Sequence, residues 1–478
     1  MALMEVPAFP PLRCNLPAVE RAYRIATGDL LGNIQPFPVG DQHLPVLLAG
    51  LDYDTPWTRD AAINVWNGLG LTHPQVARNT LLSVLEERDG EVSIGGQYWD
   101  AIIWALGLWT YYLYSGDRDT LSIGYRATRN SLRRFEDEEY DPHYGLFRGP
   151  AVYGDGVAAY PDRYSPGGTS SILDWVKFNP HKKAGRGYGI PMMTLSTNCI
   201  YAQVYYTLPR MAAELGLPPD PQDEIAAERL RQNIQRRFWN PHSGRFDYLL
   251  DEEGRCEAQE GLGHAFVLLF DLATREQARS ILQNIERTPH GISCVWPTFA
   301  RYAERGGFGR HSGTIWPFIN AFWAEAALKY GHYDIFNEEF NHLTDMFNRY
   351  AQCAEIYHPV TGEIYGGLQE AGKGTSGWEW ISCARQSWSA SGYLRLVLFG
   401  LLGLGFDVHG LRIKPYLPDG CSWIEIENLP FRNALLNIHV KGKGTNIISC
   451  KIDGKETSPF ISSKAVGQCS IEIVVSKC

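Results

Sequence analysis

The segment "WDAIIWALGLWTYYLYSG" at residues 99–116 limits the fold more than any other stretch. Read as a helix it is apolar almost all round, and such a helix has to be covered on every side. "TIWPFINAFWAEAALKYG" (314–331) has the same character. Amphipathic segments lie between them. In "DPQDEIAAERLRQNIQRRFW" (220–239), Ile225, Leu230, Ile234 and Phe238 read as one face, with Asp220 as cap and Pro221 at the first helical position. From about residue 17 to about 403 covered and half-exposed helices interleave in this way, which fits an inner and an outer helical layer.

Long connections rich in Gly, Tyr and Pro separate the helices at 141–195, 240–263 and 358–384. Loops of that length are functional or disordered, and their aromatic content argues against disorder. After about residue 406 the period changes. "LLNIHV", "IISCKI" and "IEIVV" alternate between Gly-containing turns, which predicts a small antiparallel β-sandwich. The expected division is a helical domain over 1–405 and a β-domain over 406–478.

The totals exclude several classes. The net charge of −9, with no Lys/Arg block, gives no electrostatic reason to bind nucleic acid. The longest apolar run, "YLRLVLFGLLGLGF" (393–406), carries Arg395 and is too short to span a bilayer. The first twenty residues lack the basic and apolar regions of a signal peptide. The ten cysteines form no C-x-x-C pair, so no structural zinc site, metal or cofactor is expected. Cys421, Cys450, Cys469 and Cys478 cluster late in the chain, and nothing in their spacing forces disulfides. The default expectation is a cytoplasmic protein, monomer or homodimer, with a lost leader left open. Aromatic residues reach 12%, and their flat amphipathic rings suit clefts that meet ligands with one polar and one apolar side.

Some local patterns lead nowhere. "GLQEAGKGT" (367–375) has Gly374 where a phosphate-binding loop needs Ser or Thr, and no strand-like run precedes it. Others bring chemistry together. "LDYDTPWTRDAAINVW" (51–66) sets Trp57, Arg59 and Asp60 at a helix start, either as a capping pair or as ligand contacts. "SIGGQYWDAIIWA" (93–105) puts Trp99 and Asp100 ahead of an apolar helix. "GRHSGTIWPFIN" (309–320) joins a basic loop carrying His311 to a buried helix through Trp316. "ILDWVKFNPHKKAGRGYGIPMMTLSTN" (172–198) places Asp174 and Trp175 at the mouth of a long loop that ends in Asn198, and "CAEIYHPVTGEIYGG" (353–367) holds Glu355.

In that order, with "RQSWSASGY" (385–393) and Trp388 to follow, these motifs resemble those of six-hairpin (α/α)6-barrel glycoside hydrolases. The similarity is greatest to the amylo-α-1,6-glucosidase part of glycogen-debranching enzymes and to the processing α-glucosidase/mannosylglycerate hydrolase group. It covers about 50–405, and the β tail resembles the sandwich attached to many such barrels. The resemblance implies an (α/α)6 toroid and an inverting, exo-acting hydrolase of an α-linked glucoside or similar glycoside, with no cofactor. It puts the general acid at Asp174 and the general base at Glu355. Arg59, Asp60 and Asp100 would hold hydroxyls of the terminal sugar, and Trp316 and Trp388 would wall the pocket. Trp57, Trp99, Trp175, Asn198 and His311 lie in the same motifs and are further candidates for the substrate site. One departure stands out. Where debranching enzymes carry an R-P-N-Q-like run, this chain has "CEAQEGLGHAF" (256–266), which marks Glu260 and His264 as places of altered specificity.

Two carboxyl groups suit this chemistry, because inversion needs one protonated acid and one ionised base, roughly 6.5–9.5 Å apart with a water between. Trp175 is expected to shield Asp174 and keep it protonated. Glu260 and Glu370 are the competing carboxylates. The alternatives are an α-L-rhamnosidase, a phosphorylase on the same barrel, and a non-catalytic carbohydrate-binding protein.

Overall fold

The computed structural model describes residues 6–165, 168–371 and 378–477. Cys478 and the stretch 372–375 of the phosphate-loop-like run lie outside them. The main helices are α1 (Pro17–Gly32), α2 (Thr58–Asn64), α3 (Pro74–Ser83), α4 (Trp104–Ser115), α5 (Arg118–Glu138), α6 (Leu195–Leu215), α7 (Pro221–Phe238), α8 (Gly261–Leu269), α9 (Arg275–Asn284), α10 (Pro317–Lys329), α11 (Tyr333–Tyr350) and α12 (Ser387–Arg395). Even-numbered helices are buried along nearly their whole length, and odd-numbered ones keep a solvent face. The even helices pack in succession, α2 on α4, α4 on α6, and so on to α12, which packs back on α2. That return contact explains why α4 and α10 carry almost no polar face.

The amphipathic segment differs from the sequence reading in one register position. Leu230, Ile234 and Phe238 are buried, but Ile225 is 54% exposed and Ala226 takes its place. Helical spacing of four runs back from Leu230 to Ala226, whereas a step of five turns Ile225 well off that face. Asp220 accepts from the Gln222 N–H at 2.9 Å and Pro221 starts α7, as the capping pattern requires.

The C-terminal unit contains β2 (Leu404–Asp407), β3 (Gly410–Ile413), β4 (Trp423–Phe431), β5 (Asn433–Gly442), β6 (Asn446–Ile452), β7 (Lys455–Glu456), β8 (Phe460–Ser462) and β9 (Val466–Ser476). Alternate residues of β5 are buried, as the period of two predicts. The expected all-antiparallel pairing is corrected at one place, since β5 and β9 run parallel. β6 turns back from β5, the chain crosses through β8 in a second sheet, and β9 then inserts between β5 and β6. It is therefore antiparallel to β6 and parallel to β5. A further strand, β1 (Leu12–Cys14), completes the larger sheet by pairing with β4, Leu12 opposite Ile426. No helix among the described residues is long and apolar enough to cross a membrane.

Candidate active site

The N-terminal ends of α2, α10 and α12, with the long loops above them, enclose a cavity of about 390 Å³. Trp57, Arg59, Asp60, His311, Trp316, Glu355 and Trp388 line it. So do Tyr53, Gln97, Tyr153, Asp155, Arg310, Gln369, Trp380 and Gln386, which the motif reading did not single out.

At the floor, Arg59 donates to Gln97 Oε1, Asp100 Oδ2 and Asp155 Oδ2, each at 2.8 Å. Its guanidinium also lies 5.0 Å from the Trp57 ring centre, a cation–π contact that fixes its plane. Asp100 is tied on its other oxygen to the Gln97 N–H, so it holds Arg59 from behind and does not reach the cavity. Burial pushes the Asp100 carboxyl up to about 6 against the pull of Arg59. Asp60 is more deeply affected. Burial raises it to about 8, and its Oδ1 has no hydrogen-bond partner in the protein. An unpaired buried oxygen that lines a cavity is suited to a sugar hydroxyl. Burial alone would raise Asp155 too, but the Arg59 guanidinium beside it brings it below its ordinary value. Gly156 follows Asp155 closely enough to Gln369 that an added Cβ would lie 2.1 Å from Oε1.

His311 lies between Tyr153, 5.9 Å away, and Trp316, 4.7 Å away, with the rings nearly parallel. Burial drives it down to about 3, so it is a neutral ring at physiological pH. Trp388 stands edge-on to Trp316 at 5.6 Å and stacks on Phe318 at 4.3 Å.

Glu355 also lines the cavity and is only 2% exposed. Its Oε2 accepts from Arg310 Nη2 at 2.6 Å and from the Cys383 N–H at 3.2 Å. Its Oε1 faces the Tyr53 hydroxyl at 3.4 Å. Arg310 is itself fixed, donating through Nη1 to the carbonyls of Gly366 and Ile381. One carboxylate oxygen is thus clamped while the other is left toward the cavity.

Asp174 lies on the rim. Ser170, Ser171 and Leu173 of its loop line the cavity, but Asp174 itself is just outside the lining. Its carboxylate accepts from Thr169 Oγ1 at 2.6 Å and pairs with Lys177 at 2.5 Å, with 30% of the side chain exposed. The expected shielding by Trp175 is not found. That ring turns inward, packs on Tyr164 and donates to the Arg163 carbonyl.

The remaining candidates sit behind the walls. Asn198 bridges the Phe147 N–H and carbonyl at the start of α6. Trp99 is buried and its side chain lies against Gly149. Glu260 accepts from the Ser196 N–H, and burial raises it to about 8. His264 contacts the Glu260 carbonyl and the Phe246 N–H, and burial lowers it to about 4. Glu370 is held by Ser165, Arg301 and Tyr302.

A closed helical ring thus holds Asp60, Asp155 and Glu355 at its N-terminal mouth between walls of Trp57, Trp316 and Trp388. The family model of the mannosylglycerate hydrolase MGH1-like glycoside hydrolase domain matches residues 53–389, and the chain belongs to that family of glycoside hydrolases. No curated protein matches the sequence. Among solved structures it is similar to a sialidase (16% identity, 94% of this chain and 40% of that one, TM-score 0.66). It is also similar to the GH78 rhamnosidase of a Bacillus species (14%, 99% and 44%, 0.60). A third similar structure is the GH63 mannosylglycerate hydrolase from Thermus thermophilus in complex with Tris and D-glycerate (16%, 79% and 100%, 0.56). The chain spans less than half the length of the first two.

Proposed function

We propose that this glycoside hydrolase is exo-acting and inverting, and that it removes an α-linked glucosyl or similar unit from a glycoside. The ring of helices is then an (α/α)6 toroid. The helical unit (1–405) supplies every reacting group and the β unit (406–478) none. The observation that carries the reading is the Glu355 carboxylate, clamped on one oxygen by Arg310 and met on the other only by a long bond from the Tyr53 hydroxyl, beside a cavity walled by Trp57, Trp316 and Trp388. Glu355 takes a proton from water as that water attacks the anomeric carbon. Asp174 gives its proton to the departing oxygen, and its place on the rim suits a bond that lies between the enclosed sugar and the outgoing group. Asp60 and the Arg59–Asp155 pair hold hydroxyls of the enclosed sugar.

A second assignment of the acid rests on Asp155 lining the cavity where Asp174 does not. Its pairing with Arg59 keeps it ionised, which favours hydroxyl binding over proton donation. The test is hydrolysis of matched α-glucosides, α-mannosides and α-rhamnosides, with the anomer of the released sugar followed by NMR. Asp174→Asn should lose turnover of alkyl glycosides by about 10³-fold yet retain much of it on nitrophenyl glycosides, whose leaving group needs no proton. That pattern in Asp155→Asn instead would move the acid to Asp155. Retention of configuration, or turnover only with added phosphate, would overturn the proposed mechanism.

A further inference from the structure

The faces of the His311 ring are both occupied, since it lies nearly parallel between Tyr153 and Trp316. The ring is 2% exposed and lines the cavity, so what it offers a bound sugar is its edge. One of its two nitrogens, Nδ1, is buried without a hydrogen-bond partner among the described residues. Packing does not call for this residue. A phenylalanine would make the same stack and leave no polar atom unpaired, whereas an unpaired buried nitrogen is costly. The neutral imidazole carries one N–H and one lone pair, and a hydroxyl can answer either of them. Burial keeps the ring uncharged, so it does not act as a cation toward a carboxylate or phosphate. The charge that acts on it most is Asp155, which also lines the cavity and commits one oxygen to Arg59. Together, an ionised carboxylate and a neutral ring can accept from and donate to one hydroxyl.

We infer that His311 is a specificity-determining residue whose ring edge hydrogen-bonds a hydroxyl of the enclosed sugar. The enzyme then selects that sugar against the analogue lacking this one hydroxyl. This rests on the hydrolytic reading of the site and deepens it by naming a group that reads the substrate. The selection works through loss. Without the hydroxyl, the sugar closes the cavity over a nitrogen that neither it nor the protein satisfies. A sugar hydroxylated at this position is thereby set apart from its deoxy counterpart.

The experiment measures binding of methyl α-glucoside and its monodeoxy analogues to Glu355→Gln by tryptophan fluorescence, with wild-type turnover followed separately. The series is repeated with His311→Phe added, which keeps the aromatic stack and removes both nitrogens. One deoxy analogue should bind Glu355→Gln about tenfold more weakly than the parent sugar, and that penalty should vanish in the double variant. The penalties of the other analogues should be the same in both proteins. NMR of Glu355→Gln carrying isotope-labelled histidine gives a readout that leaves His311 intact. A ring-nitrogen resonance should move with the parent sugar and stay in place with that one analogue. Penalties that all survive His311→Phe, or no ring-nitrogen shift with any sugar, overturn the inference and leave the hydrolytic reading standing. Coupling in binding with no turnover of any glycoside by the wild type upholds the contact and overturns hydrolysis. Binding of none of these sugars overturns both.

Discussion

The same inner helices form two cavities, one at each end, and the two are chemically opposite. At the N-terminal ends lies the 390 Å³ cavity with Asp60, Asp155 and Glu355. Toward the C-terminal ends lies a smaller one of about 240 Å³, walled by Trp66, Trp109, Phe270 and Phe399 around Arg395 and Glu325. Helix N-termini favour anions and C-termini favour cations, so the carboxylates and Arg395 each stand where the backbone field supports them. Arg395 is 3% exposed, pairs with Glu325 at 2.5 Å, and is sandwiched by aromatic rings, Phe322 at 3.9 Å being the nearest. Its charge is balanced by Glu325, although its Nε has no hydrogen-bond partner. At the other end Asp60 keeps an oxygen that no protein group satisfies. Opposite ends of one ring thus separate into a closed ion pair and a set of carboxylates that faces a cavity.

The largest expected effect falls on the end that holds Glu355. Glu355→Gln should lower kcat by about 10³-fold with little change in Tm, measured by steady-state kinetics and calorimetry. The structural end should respond the other way. Arg395→Met strands Glu325, which is partly exposed, so we expect about 2 kcal/mol less stability in urea unfolding with kcat unchanged. A fall in kcat for this variant would break the distinction between the two ends.

Between the ends, Glu260 sharpens the comparison through pH. Its buried carboxyl, raised to about 8, keeps a proton in the folded chain that the unfolded chain releases above about pH 4.3. The stability this supplies is complete below about pH 4 and is lost as pH rises through 8. Wild-type stability relative to Glu260→Gln should therefore fall by about 1.4 kcal/mol per pH unit over roughly pH 5–8. A flat difference would show that Glu260 is ionised in the fold. The smallest effect concerns Arg310. Arg310→Gln should reduce kcat about tenfold without raising KM, because it frees the clamped oxygen and leaves the sugar contacts intact. A rise in KM alone would make Arg310 a substrate contact.

The alternation of fully and partly buried helices was legible in the sequence because period and apolar width follow directly from the side chains. The ring closure of α12 on α2 was not, since no local signal encodes which covered helices touch. The same limit divides the site. Motif order brought Trp57, Asp60, Trp316, Glu355 and Trp388 to one mouth, but it could not separate wall from backing. Asp100, Asn198 and Glu260 sit behind the walls because each commits its hydrogen bonds to the backbone or to Arg59. Tyr53, Arg310 and Gln386 lay one to six residues from quoted landmarks and could have been found by asking what surrounds each motif. Asp155 could not, because it stands alone within a long loop, "YGDG", and only the fold brings it to Arg59.

The pairing of β1 with β4 sets the order in which the molecule can be assembled. The strand at residues 12–14 is synthesised before the edge it needs, which is made only after the whole helical ring. Until then it is an unpaired segment whose loop-closure entropy has not been met by any contact, and a rival edge on another chain would capture it equally well. Its docking is thus a late event that ties the start of the helical unit to the C-terminal sheet. Separation of the β unit from the ring has to pull this strand out of its sheet as well as break the helix contacts.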